Sequence, residues 1–165
     1  MDEIDREILQ LIQEKFPLSE RPFRDIAAGL ELHPGLSEAE VIKRIGALTK
    51  SGVIRRIGAV IDGGAVGIVT TLLGAEVPKD SIDTFVDVVN SYSRVTHNYL
   101  RNEERNIWFT LWARSIDELE NTINEIKERT EIADIVSFPS KKTYKIRAVF
   151  DIPNGAVGAA GNVKD

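Results

Sequence analysis

Cysteine is absent from this chain, which excludes disulfides, cysteine-ligated iron–sulfur clusters and thiol catalysis. Histidine is nearly absent: the two present, His33 and His97, are too few for a histidine-rich zinc site. Aromatic residues make up only 7% of the sequence, so any local cluster of them stands out. No apolar run approaches the roughly 20 residues of a membrane span. The opening MDEIDREILQ is acidic and has no signal-peptide core. Positive charge is not in excess either. Lys plus Arg is 21 against 26 Asp plus Glu, and the net charge of −5 argues against a non-specific nucleic-acid coat or a polybasic membrane anchor. What is present is ordinary globular usage, 42% hydrophobic and 28% charged over 165 residues, room for one domain or two small ones. These features are those of a soluble cytoplasmic protein with no membrane association.

The first third of the chain has helical spacing. Ile4, Ile8, Leu11 and Ile12 share one face of a helix over 4–15. A second helix over 22–30 opens at Pro22 and turns Phe23, Ile26 and Ala27 inward. Ser37-Glu38-Ala39-Glu40 has the form of a capping box, Val41, Ile45 and Leu48 follow at helical spacing, and Gly52 ends that helix. Residues 53–60 are β-rich. Three helices and a short ribbon predict a winged helix-turn-helix domain over 1–62.

The rhythm then changes. Residues 67–77, 94–100, 106–113 and 132–138 read as strands, and a further strand is predicted over 143–149. Between them lie a helix over 81–91 and a second one opened by Ser115-Ile116-Asp117-Glu118, with Ile116, Leu119, Ile123 and Ile126 expected inside. The fold class is therefore α+β, with a ferredoxin-like βαββαβ domain over 63–152 joined at Asp62-Gly63-Gly64. A Gly/Ala-rich tail over 153–165 calls for a partner to hold it.

Three features carry chemistry. Between Ser37 and Arg56 five basic residues oppose two acidic ones, enough to touch phosphates, but residues 1–60 hold 9 basic and 10 acidic side chains and the module is about neutral. Second, His97, Tyr99 and Arg101 share strand parity, and Asn106-Ile107-Trp108-Phe109-Thr110-Leu111-Trp112 lies across the hairpin. An imidazole, a phenol, a guanidinium and an indole together can hold an anionic aromatic ligand, and His97 can donate a proton or ligate a metal. The alternative is that these are core or rim residues of a sheet. Third, Lys141, Lys142, Lys145 and Arg147 fall within seven residues with no acid among them, a patch for carboxylates or phosphates, or a solvated strand end.

The pattern from Asp5-Arg6-Glu7-Ile8-Leu9 through Val53-Ile54, followed by βαββαβ, resembles the Lrp/AsnC transcription regulators. Gly52-Val53-Ile54-Arg55-Arg56-Ile57-Gly58, the His-Asn-Tyr-x-Arg motif at 97–101 and the Asn-x-Trp-Phe motif at 106–109 resemble one branch of it, the siroheme decarboxylases of heme and heme d1 biosynthesis. The resemblance spans about residues 2–150. It implies an enzyme that removes the C12 and C18 acetate carboxyl groups of siroheme, yielding 12,18-didecarboxysiroheme and carbon dioxide. It also implies a heterodimer with a homologous second subunit, and no cofactor beyond the iron-containing substrate.

On this resemblance His97 and Tyr99 are the catalytic candidates, with His97 alternatively an axial ligand of the siroheme iron. Arg101, Asn106, Trp108, Lys141, Lys142, Lys145 and Arg147 are expected to bind substrate, the cations pairing with its carboxylates and the aromatic rings walling the macrocycle. DNA binding is not expected. The rival readings are a DNA-binding regulator whose second domain senses a ligand, and a non-catalytic chain that completes another subunit's pocket.

Overall fold

The computed structural model describes residues 1–153, so the tail read over 153–165 lies outside the described residues except for Pro153. The described chain divides into two units, residues 1–59 with 146–153, and residues 60–145.

The first unit contains α1 (Glu3–Glu14), α2 (Pro22–Ala28) and α3 (Glu38–Lys50). Each begins where its sequence supplies a start. Asp2 caps α1 in a reciprocal box with Asp5, a cap the sequence reading passed over. Pro22 occupies the first turn of α2, where its missing N–H costs nothing. The Ser37 hydroxyl accepts the Glu40 N–H at 3.2 Å to start α3. Gly52 stops α3 at φ +78°, a left-handed conformation that a side chain would strain. Ile8, Ile26, Val41, Ile45 and Leu48 close the core.

The ribbon expected over 53–60 is a correction. Ile54 is buried and its N–H bonds to Leu48 O, but no strand forms there. A strand needs a neighbour to take up its backbone groups, and this unit has no other strand among its described residues.

The second unit runs β1 (Val69–Ala75), α4 (Ile82–Asn90), β2 (Val95–Leu100), β3 (Ile107–Ala113), α5 (Ile116–Thr130) and β4 (Ile135–Pro139). The sheet order is β2-β3-β1-β4, antiparallel throughout, as a ferredoxin-like fold requires. β3 shows why the sheet has two unlike faces. Ile107, Phe109, Leu111 and Ala113 are fully buried in the core with residues of α4 and α5, while the alternate residues Trp108, Thr110 and Trp112 are half-buried on the opposite face. Phe85 of α4 meets Phe109 edge to face at 6.2 Å.

Three expectations in this half are corrected. Ile116 is 63% exposed at the first position of α5, and the buried face of the helix begins at Leu119. The second capping box is half made, because Ser115 accepts the Glu118 N–H while the Glu118 carboxylate takes the Arg114 N–H and the Arg94 guanidinium. No strand forms over 143–149. The ladder of β1 with β4 closes at Thr71 opposite Pro139, and proline has no N–H to extend it. From Ile146 to Pro153 the chain belongs to the first unit instead. Phe150 exchanges two backbone hydrogen bonds with the Gln13 side chain, and Arg147 pairs with Glu14. The second domain read over 63–152 therefore ends earlier, at Lys145.

Candidate active site

A β-bulge sets the site. Val95 pairs with Leu111, but the next pair is His97 with Thr110, so Thr96 is the extra residue of β2. Val95 packs against the helix-side core. Without the bulge His97, two residues on, would share that side. With it, His97 lies opposite Thr110 and Tyr99 opposite Trp108, both on the face that carries no helix of this unit. The two rings stack at 6.1 Å and 23°. Thr96 Oγ1 lies 3.0 Å from His97 Nδ1, which leaves Nε2 as the ring nitrogen without a partner among the described residues.

The same face continues across the sheet as an aromatic floor. Trp108 donates its indole N–H to Arg105 O at 2.7 Å and lies 5.4 Å from the Phe138 ring on β4. Gly74 of β1 sits between them, directly opposite Trp108. Leu72, 43% exposed, stands beside Thr110 and Phe138. His97, Tyr99, Trp108, Thr110, Leu72 and Phe138 thus share a surface that is flat, apolar and edged on one side by a phenol and an imidazole.

The predicted cations distribute around this face unequally. Arg101 follows β2, and its backbone N–H bonds to Asn106 O, carrying the hairpin one pair further. No carboxylate pairs with it among the described residues. Lys141, Lys142 and Lys145 are exposed on the run that leaves β4 at the opposite end of the sheet, and Lys142 Nζ lies 4.9 Å from the Tyr144 ring. Arg147 is not with them: it belongs to the first unit and is paired with Glu14. Asn106 makes contacts within the fold. Its amide accepts from Val77 N at 2.9 Å and donates to Val77 O at 2.8 Å, so both ends are spent on the backbone. Sequence reasoning missed Phe138, Gly74 and Arg105. Arg105 anchors the loop before Trp108 through Asp134, at 3.0 Å and 3.2 Å. The one signal in the sequence was glycine inside a strand, which marks a close approach.

Elsewhere the charged groups do structural work. In the first unit Arg44 of α3 is bound by Asp2 and Asp5 at 2.8 Å, while its Nε lies 3.0 Å from Glu40 as an ion pair without hydrogen-bond alignment. The hydrogen bonds that Arg44 donates to Asp2 and Asp5 push its pKa further up. Burial alone would raise the Glu7 carboxyl, but the Leu32 N–H and the His33 ring outweigh it and hold it below its ordinary value. Burial raises the Tyr92 phenol. A recess of about 810 Å³ in the first unit is walled by Leu9, Ile12, Phe16, Ile57, Phe150 and Ile152, and holds none of the candidate residues. Among the described residues no group of three His, Asp or Glu side chains could hold a metal ion.

Residues 5–55 match the family described as the siroheme decarboxylase NirDL-like helix-turn-helix domain, and residues 65–145 the AsnC-like ligand binding domain. The siroheme decarboxylase alpha subunit of Desulfovibrio desulfuricans is 42% identical over 93% of this chain and 86% of its own length. This chain belongs to the siroheme decarboxylase family. Among solved structures, the siroheme decarboxylase NirDL in co-complex with an iron-uroporphyrin III analogue is 30% identical, with a TM-score of 0.63 over 87% of this chain and 47% of that one. An AsnC family transcriptional regulator from Agrobacterium tumefaciens shares the fold at a TM-score of 0.71, 24% identical over 93% of this chain and 97% of that one.

Proposed function

We propose that this chain is a subunit of siroheme decarboxylase, removing the C12 and C18 acetate carboxyl groups of siroheme to give 12,18-didecarboxysiroheme and carbon dioxide. The observation that carries the reading is the bulge-presented His97 and Tyr99 pair on an open aromatic sheet face, in a chain 42% identical to a siroheme decarboxylase alpha subunit.

The chemistry asks for three things. Each carbon–carboxylate bond breaks with its electron pair left on the methylene carbon, where the conjugated macrocycle delocalises it. A proton must then reach that carbon, so each acetate becomes a methyl group and each turn takes up one proton. His97 Nε2 is the donor this chain offers, with Tyr99 stacked beside it to hold the ring and assist by hydrogen bonding. Third, the remaining carboxylates need cations and the ring needs apolar walls. Arg101 at one end of the face and Lys141, Lys142 and Lys145 at the other supply the first, and Trp108 with Phe138 supplies the second. Axial ligation of the iron by His97 is the alternative use of the same nitrogen. No cofactor besides the substrate's own iron macrocycle enters this scheme.

A homologous second subunit completes the enzyme in this reading. The relative is an alpha subunit by name, and this chain spans less than half of the NirDL chain it matches, which leaves that protein room for a second such half. No helix among the described residues is long and apolar enough to cross a membrane, consistent with work in the cytoplasm. The test is anaerobic incubation with siroheme, with and without the homologous partner, and mass analysis of the pigment. Loss of two carbon dioxide masses is expected from the pair. Intact siroheme after prolonged incubation with the pair would refute the assignment.

A further inference from the structure

Resting on that reading, we infer that Gly74 is a binding-determining position of the siroheme site, because its missing side chain is what lets the Trp108 indole lie against the strand. Glycine inside a strand weakens it, so a strand glycine calls for a spatial reason. Here the reason is on the open face. A methyl carbon at 74 would stand 3.2 Å from Trp108 Cη2, 3.3 Å from Cζ2 and 3.2 Å from Arg105 Cδ. All three distances are tighter than ordinary carbon–carbon contact. The indole covers the glycine and reaches toward Phe138 on the next strand, 5.4 Å between ring centroids.

The neighbours cannot yield freely. The indole N–H is fixed to Arg105 O at 2.7 Å, Arg105 is fixed to Asp134, and the next residue, Asn106, is clipped by its own amide to Val77 at 2.8 Å and 2.9 Å. A side chain at 74 therefore either breaks the indole hydrogen bond or tilts the ring outward into the space above the sheet. That space is where a flat macrocycle would stack. His97 stands one strand beyond Trp108, opposite Thr110 rather than the indole, with Tyr99 as the ring between them. Gly74 thus sets the depth of the aromatic floor at Trp108, one strand away from Tyr99 and two residues from Thr110, the proton donor's pairing position.

The experiment uses the complex with its partner subunit and siroheme as the probe, in a Trp112→Phe background so that Trp108 is this chain's one tryptophan and emission differences between variants report it. Gly74→Ala and Gly74→Val form a graded pair, and valine keeps a strong strand former at the position. The expected result is a shift of Trp108 emission before any siroheme is added, and siroheme affinity lowered about two- to tenfold, the range of one aromatic contact. The decarboxylation rate at saturating siroheme should stay near that of the parent, so the change falls on KM. Trp108→Phe should weaken binding in the Gly74 protein and leave it unchanged or improved in Gly74→Val. Parental emission, affinity and additivity in both folded variants would overturn the inference while the parent still turns over siroheme. A parent complex that binds no siroheme would instead sink the functional reading, and the inference with it.

Discussion

Asn106 was expected to bind substrate, and in the fold its amide also has a structural task. Its motif drew attention to it, and the structure spends its amide on Val77 N and O. No sequence pattern distinguishes an asparagine facing a ligand from one clipping a neighbouring loop, because the difference is which backbone lies within 3 Å after folding. Asn106→Ala should therefore act on stability, lowering it by about 1–3 kcal/mol as Val77 loses its partners, measured by chemical denaturation. A variant as stable as the parent but deficient in siroheme binding would restore the substrate-contact role. The lysines were legible as a basic run because composition alone reveals it. A combined Lys141→Ala and Lys145→Ala variant should weaken siroheme binding and flatten its salt dependence, each exposed contact contributing under about 1 kcal/mol. Equal affinity at low and high salt in variant and parent would make the run a solvated chain end.

At the scale of the element, β2 carries the lesson. Parity placed His97, Tyr99 and Arg101 together, yet Val95 has the same parity and faces the core. The bulge at Thr96 reconciles the two, and bulges leave no reliable trace in one sequence. The helices were legible because apolar spacing and caps are local. α3 and its surroundings make two predictions. Its guanidinium is already bound by Asp2 and Asp5, and Lys43 leans on Glu40 at 3.4 Å. Sequence-specific DNA binding tighter than about 10⁻⁸ M at physiological salt is not expected. A footprint at that concentration would contradict this. The tie of α1 to the residues after α2 depends on acid. Glu7 is ionised more readily folded than unfolded, so its contribution is present above its unfolded pKa and fades as pH falls through the lower folded value. The first unit should lose stability from about pH 4.5 downward, and Glu7→Gln should show a smaller loss over that interval by thermal melts followed across pH. Identical acid profiles would remove Glu7 from the account.

At the scale of the whole molecule, the order of elements predicted both architectures, since helical and strand periodicities differ sharply on either side of Asp62-Gly63-Gly64. The return of the chain to the first unit after Lys145 was not legible. Residues 143–149 have strand composition, and only the exhausted ladder at Pro139 and the bonds to Gln13 and Glu14 decide otherwise. On this reading the chain supplies a proton donor to a siroheme site of its own. Single-turnover siroheme decarboxylation by the assembled complex, run anaerobically with His97→Ala in this chain alone, decides the matter. A rate lower by about 10²–10⁴-fold is expected for loss of a general acid, with pigment bound at its original visible spectrum. An unchanged rate would contradict the account and make this chain the scaffold for its partner's catalysis.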